Sequence, residues 1–199
     1  MAKASTNIPN ILTVLRILLI PVFVVLFYVP VSWSNLVCAV VFALAAITDW
    51  MDGYLARRWA QVSPIGAFLD PVADKLMVAV ALVLLVQAEP RPELAIPAAI
   101  IIGREITISA LREWMAELGA RATVAVSLVG KFKTAVQMIA ILLLIYREPL
   151  LGVPVYTIGF ALLYLAAVLT LWSMVVYLRA AWPSLSEITS GVEEGDPRD

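Results

Sequence analysis

Residues 36–87 read LVCAVVFALAAITDWMDGYLARRWAQVSPIGAFLDPVADKLMVAVALVLLVQ. One apolar run leads up to Asp49, a second follows Asp74, and a polar stretch with Arg57, Arg58 and Pro64 separates them. A bilayer-crossing helix needs about 20 mostly apolar residues. The stretch therefore reads as two membrane helices, 36–56 and 68–87, joined by a short connection that makes them antiparallel neighbours. Four further runs of the same kind lie outside it, at 11–28, 94–113, 124–146 and 153–179. The breaks between runs fall at Pro30, at Glu89-Pro90-Arg91-Pro92, from Gly119 to Arg121 and from Pro149 to Pro154.

Composition agrees with that reading. Of 199 residues, 62% are hydrophobic and 15% charged, against about 45–50% and about 25% in ordinary soluble domains. The mean hydropathy is +0.95. The expected fold class is an all-α integral membrane protein of six transmembrane helices with a cytoplasm-facing polar cavity. A closed β-barrel is excluded because the runs are continuous rather than alternating. From Pro183 onward the chain turns polar and acidic, with Gly191, Gly195 and Pro197, so a flexible tail is expected over 184–199. The run from Ile11 is too long for the apolar core of a cleaved leader, and no small-residue cleavage site follows it.

Several chemistries drop out. The chain has no histidine and a single cysteine, Cys38, which removes imidazole bases, internal disulfides and cysteine–zinc sites. A net charge of −1 gives no basic footprint for nucleic acid. The lysines and arginines that remain fix an orientation. Arg57 and Arg58 sit in the 2–3 connection, and Arg104, Arg112, Arg121, Lys131 and Lys133 in or beside the 4–5 connection. The opposite side has only Arg91 and Arg147. The positive-inside rule then places the even-numbered connections and both termini in the cytoplasm.

Against this apolar background stand Asp49 and Asp52 late in the second run, and Asp70 and Asp74 early in the third. An aspartate at a helix centre costs about 2.5–3.5 kcal/mol even on the mildest insertion scale. Spacings of i,i+3 and i,i+4 put each pair on one helix face, and the antiparallel arrangement brings both pairs to the same depth near the cytoplasmic surface. Arg57, Arg58 and Lys75 are near in sequence, but such residues commonly snorkel to the interface. The spans hold too few cations to neutralise four carboxylates. Oxygen-only donors favour hard ions such as Mg²⁺ or Mn²⁺, and four carboxylates suit two of them. A cation transporter is the alternative from another class, although it would spread ionisable groups through the membrane, and the fifth and sixth runs have none at mid-depth.

Residues 49–74 follow the pattern D-x2-D-G-x2-A-R-x8-G-x3-D-x3-D, which resembles the signature of the CDP-alcohol phosphatidyltransferases. Asp49, Asp52, Gly53, Ala56, Arg57, Gly66, Asp70 and Asp74 fill every fixed position. The resemblance implies a six-helix homodimeric membrane enzyme holding two divalent cations, Mg²⁺ or Mn²⁺. It implies that Asp49, Asp52 and Asp70 are metal ligands and that Asp74 is both ligand and catalytic base. It assigns the CDP-lipid to Asp49, Asp52, Gly53, Ala56, Arg57 and Gly66. Gly53 and Ala56 lack the bulk that would keep a nucleotide from the helix backbone, although small residues also serve helix packing. Arg57 offers a guanidinium fork to a diphosphate. Gly66 is expected to end the turn before the third helix.

The stretches NIPNILTVLRILLIPVF (7–23), GREITISALREWMAELGARATVAVSLVGKFKTAVQMIAI (103–141) and LTLWSM (169–174) are similar to the branch of that family whose acceptor is sn-glycerol 3-phosphate. The implied reaction takes CDP-diacylglycerol and sn-glycerol 3-phosphate to phosphatidylglycerophosphate and CMP, among membrane lipids of the bacterial inner membrane. Residues 1–183 would form the single catalytic domain. Other acceptors (inositol phosphate, serine, phosphatidylglycerol) stay open, because the signature concerns only the CDP-lipid half. A dianionic acceptor needs a basic subsite, for which Arg104, Arg112, Lys131 and Lys133 are candidates, with Arg121 and Arg179 weaker. Glu105, Ser109 and Arg112 form a polar stripe on the fourth helix, and Lys133 and Gln137 a shorter one on the fifth. Asn10, Thr13 and Arg16 repeat at i+3 on the first. That last stripe either caps the helix and snorkels or lines the cavity.

Overall fold

The computed structural model describes residues 8–59, 64–117 and 128–193, with side chains described over 11–49, 72–115 and 132–179 and at Met51 and Leu69. Within them the chain is six helices: α1 Ile8–Phe27, α2 Ser34–Trp59, α3 Pro64–Ala88, α4 Pro92–Glu117, α5 Leu128–Tyr146 and α6 Val155–Glu193. No strand occurs among the described residues, and the only pairing of strand type is the bridge between Leu150 and Val153 in the α5–α6 turn. The chain reverses there through left-handed residues Arg147, Leu151 and Gly152.

Each expected run is a helix, and several boundaries differ from expectation. Helix α2 continues to Trp59 and α3 begins at Pro64, a residue whose fixed φ and missing N–H suit a first helical turn. Gly66 thus lies inside α3 rather than ahead of it. Helix α6 carries helical backbone through Glu193, beyond residue 183, where a flexible tail was expected. Extending a helix already nucleated by a long apolar segment costs far less than starting one. Pro21 and Pro97 sit inside α1 and α4.

Two segments, Pro92–Met115 and Val155–Arg179, are long and apolar enough to cross a membrane, and Ile11–Phe27, Ser34–Asp49 and Phe132–Tyr146 are shorter apolar stretches. Large apolar side chains cover the outside: Leu18, Val25, Val83, Ile106, Phe132, Val168 and Trp172 are all more than half exposed. A soluble monomer does not present so much contiguous apolar surface. Hydrocarbon accepts it.

The interior joins Phe23, Phe42, Leu82, Leu85, Ile141, Leu144 and Leu163 in one cluster, with Ala39, Ala45, Ala81, Ala140 and Ala166 between them. In a bilayer the drive is close packing rather than escape from water, and small residues let helix backbones approach. Among the described glycines, the tightest approach is at Gly159, between α5 and α6. A methyl group at Gly159 would lie 2.9 Å from Leu143 Cβ, 3.1 Å from Leu144 N and 3.2 Å from Ala140 O. Two of those atoms are backbone and cannot turn aside. Gly159→Ala is expected to destabilise the protein by about 1–3 kcal/mol, read as a lower Tm in detergent; an unchanged Tm would mean that α5 and α6 can separate without loss.

One end of the bundle is tied by polar contacts. Tyr28 donates to Gln87, Tyr156 donates to Glu89, and Arg91 pairs with Glu89. The other end is where α2, α3, α4 and α5 leave space between them.

Candidate active site

The site is built on α2 and α3. Asp49 and Asp74 stand on facing helices, and both reach the wall of a cavity of about 340 Å³ whose lining also includes Lys75, Glu105, Thr134 and Gln137. Asp52 and Asp70 lie on the helical backbones of α2 and α3, but their side chains fall outside the described residues, as do those of Gly53, Ala56, Arg57, Gly66 and Lys131. Arg121 lies outside the described residues altogether.

The cation that meets these carboxylates comes from α1. Arg16 Nη1 lies 3.1 Å from Asp49 Oδ1 and also donates to Asp74 Oδ1. Arg16 is only 1% exposed, whereas the Asp49 and Asp74 side chains are 44% and 39% exposed. The guanidinium therefore closes the back of the site while the carboxylates remain open to the cavity. Sequence reading allowed Arg16 a place along the cavity but did not count it against the aspartates. Its signal was the i+3 stripe with Thr13, which is likewise buried. One guanidinium against two carboxylates still leaves negative charge at the site.

Two carboxylate oxygens directed at one guanidinium nitrogen converge on a single cation position. They are hard oxygen donors of the type that Mg²⁺ and Mn²⁺ prefer, so the pair fits a divalent ion in chemistry. No group of three or more such ligands assembles among the described residues, and the other two aspartates of the signature lie outside them.

A second charged group lies between α4 and α5. Arg104 Nη1 is 2.5 Å and Lys133 Nζ 3.5 Å from the same Glu105 Oε1. Two cations against one carboxylate leave an excess positive charge beside the cavity. Lys133 is 3% exposed, and so deep a charge is retained only with a partner. Lys75 donates to Ser109, whose hydroxyl in turn donates to the Glu105 carbonyl at 2.5 Å. Arg112 goes elsewhere: its guanidinium carbon lies 5.2 Å from the centroid of the Tyr177 ring on α6, within cation–π range. Sequence spacing grouped Arg112 with Glu105 and Ser109, yet its guanidinium turns away from them to α6.

Beside the polar cavity is an apolar one of about 370 Å³ between α3 and α4, and the two share Lys75, Val78 and Glu105. Charged space thus borders hydrocarbon-like space.

The CDP-alcohol phosphatidyltransferase family model matches residues 6–172. CDP-diacylglycerol–glycerol-3-phosphate 3-phosphatidyltransferase of Pseudomonas fluorescens is 58% identical over 189 residues, covering 94% of this chain and 95% of the relative. The protein of that name from Pectobacterium atrosepticum is 56% identical over 181 residues, 91% of this chain and 98% of its own. That from Salmonella typhimurium is 56% identical over 175 residues, 88% and 94%. The match runs from α1 into α6 and takes in both aspartate-bearing helices, and the chain belongs to the CDP-alcohol phosphatidyltransferase family.

Proposed function

We propose that the chain transfers the phosphatidyl group of CDP-diacylglycerol to sn-glycerol 3-phosphate, giving phosphatidylglycerophosphate and CMP, a step of phosphatidylglycerol biosynthesis. The observation that carries the reading is the convergence of Asp49 and Asp74 on one cavity that also borders the Arg104–Glu105–Lys133 cluster. The adjoining apolar space suits a substrate with a charged head and hydrocarbon tails. The names of relatives 56–58% identical over most of the chain support the same pair of substrates.

Asp49, Asp52, Asp70 and Asp74 would hold two divalent cations, Mg²⁺ or Mn²⁺. Bound there, such ions would supply positive charge to a diphosphate and to departing CMP. The chain's own groups do the rest. Asp74 takes the proton of the attacking hydroxyl. The hydroxyl oxygen bonds to the phosphorus that bears diacylglycerol, and the bond from that phosphorus to CMP breaks. Gly53, Ala56, Arg57 and Gly66 seat the nucleotide. With no histidine and one buried cysteine, direct displacement is favoured over a covalent intermediate. The protein would work as a homodimer in the bacterial inner membrane, with six spans, 1–183 as the catalytic domain, and the cavity and both termini facing the cytoplasm.

Purified protein in mixed micelles, given one labelled CDP-diacylglycerol and each candidate acceptor in turn, tests this. Glycerol 3-phosphate should release CMP and form the phosphatidyl product, EDTA should stop it, and Mg²⁺ or Mn²⁺ should restore it. Preference for another acceptor, or insensitivity to chelation, would reject the assignment.

The acceptor phosphate is assigned to Lys133 and Arg104, with Lys131 and Arg112 contributing less. Lys133→Met removes a charge-assisted contact worth about 1.5–3 kcal/mol, so the KM for glycerol 3-phosphate should rise about 10- to 150-fold while that for CDP-diacylglycerol changes little. Arg112→Ala, directed at Tyr177, should alter either KM by less than about threefold. Equal effects of Lys133→Met on both substrates would make Lys133 a structural residue.

A further inference from the structure

Gln137 lies on α5, is 5% exposed, and lines the polar cavity beside Ala45, Met77 and Met138. Its side-chain carbonyl oxygen Oε1 is buried with no hydrogen-bond partner among the described residues. A buried acceptor left unpaired is costly, and native proteins rarely leave one without a reason. A carbonyl oxygen can only accept, so whatever satisfies it must bring an O–H or N–H to the Gln137 side chain, which lines the cavity.

The reactants narrow the choice. Ionised phosphates and diphosphates bring no donor, and neither do acyl chains; the cytosine amine does, but the nucleotide is assigned to the signature residues on α2 and α3. Hydroxyls do, and glycerol 3-phosphate has two: one attacks phosphorus and the other takes no part in bond making. Lys133, with its bridge to Glu105, is four residues away on the same face of α5, about 6 Å along the axis. That separation is comparable to a three-carbon phosphate ester lying along the helix. We infer that Gln137 reads the non-reacting hydroxyl of the acceptor, its Oε1 accepting a hydrogen bond from that hydroxyl while the phosphate lies at Lys133 and Arg104. The inference rests on the proposed reaction and gives it a specificity-determining residue. The ribose of the nucleotide is the other source of hydroxyls, and the signature residues on α2 and α3, rather than α5, are assigned to it.

The test compares sn-glycerol 3-phosphate with 3-hydroxypropyl phosphate, which keeps the phosphate and a terminal hydroxyl but lacks the middle one. A site that hydrogen-bonds a substrate hydroxyl discriminates against the analogue lacking it, and kcat/KM of the wild-type protein should favour glycerol 3-phosphate by at least about tenfold. In Gln137→Met that ratio should fall to within about twofold of one, with the loss on glycerol 3-phosphate. Absence of discrimination in the wild-type protein overturns the inference without any variant. So do equal losses on both acceptors in Gln137→Met, which would make the residue structural. A third overturning result is lost discrimination between CDP-diacylglycerol and its 2′-deoxy counterpart, which would give Gln137 to the ribose. Should the wild-type protein transfer to neither acceptor, the proposed reaction itself fails and the inference falls with it.

Discussion

Asp74→Asn is expected to lower phosphatidyl transfer by at least about 10³-fold while leaving a folded, monodisperse protein. The substitution keeps the shape of the side chain and removes its charge and basicity. On the proposed mechanism, loss of a positioned general base alone costs about 10²–10⁴-fold, and loss of an anionic oxygen that would hold a cation adds to it. The fold should tolerate the change because Asp74 is 39% exposed on the cavity side and an amide oxygen can still accept from Arg16. Asp74→Glu keeps the basic group but moves it by a methylene. Its activity should lie between the two, since misplacement of about 1 Å can cost about 10²-fold. The measurement is CMP release at saturating glycerol 3-phosphate, with Tm as the check on folding. Turnover of Asp74→Asn near the wild-type level would remove Asp74 from the chemistry and leave it a wall residue held by Arg16.

How far the sequence foretold this site depends on what kind of information each part needed. Helix order was legible because each apolar run is near the length of a span, and the Asp49/Asp52 and Asp70/Asp74 faces were legible because i,i+3 and i,i+4 are local geometry. The end of α6 at Glu193 was not. Pro183 and Gly191 look like breakers, while the advantage of propagating an existing helix leaves no mark at any one residue. Arg16 was half legible: its stripe with Thr13 showed a polar face on α1. That this face meets Asp49 and Asp74, 33 and 58 residues away, is a tertiary fact. Arg112 shows the converse. Its spacing joined it to Glu105 and Ser109, but a cation on a long stem can turn to an aromatic ring on another helix, and Tyr177 was there to receive it. Gln137 was visible as part of a stripe with Lys133, whereas its unpaired oxygen could be seen only once its surroundings were built.

Arg16→Met should destabilise the metal-free protein by about 3 kcal/mol, the lower end of what loss of one partner of a buried ion pair costs. The lower end applies because the carboxylates, unlike Arg16 itself, are partly exposed and water screens their repulsion. Methionine fills much of the space of the arginine stem, so the loss reports charge more than volume. The decisive variable is added Mg²⁺. With Arg16 gone, Asp49 and Asp74 still face a common point, and a divalent ion bound there would restore the missing charge. An ion that binds only the folded state stabilises it by RT ln(1 + [L]/Kd), about 2.7 kcal/mol at 100 times its Kd. The Tm of Arg16→Met should therefore rise with Mg²⁺ more steeply than that of the wild-type protein, whose carboxylates already hold a cation. Arg16→Lys keeps a charge without the guanidinium fork and should fall between them. If Mg²⁺ raises the Tm of all three proteins by the same amount, the guanidinium and the ion do not share those carboxylates, and Arg16 serves the packing of α1 against α2 and α3 instead.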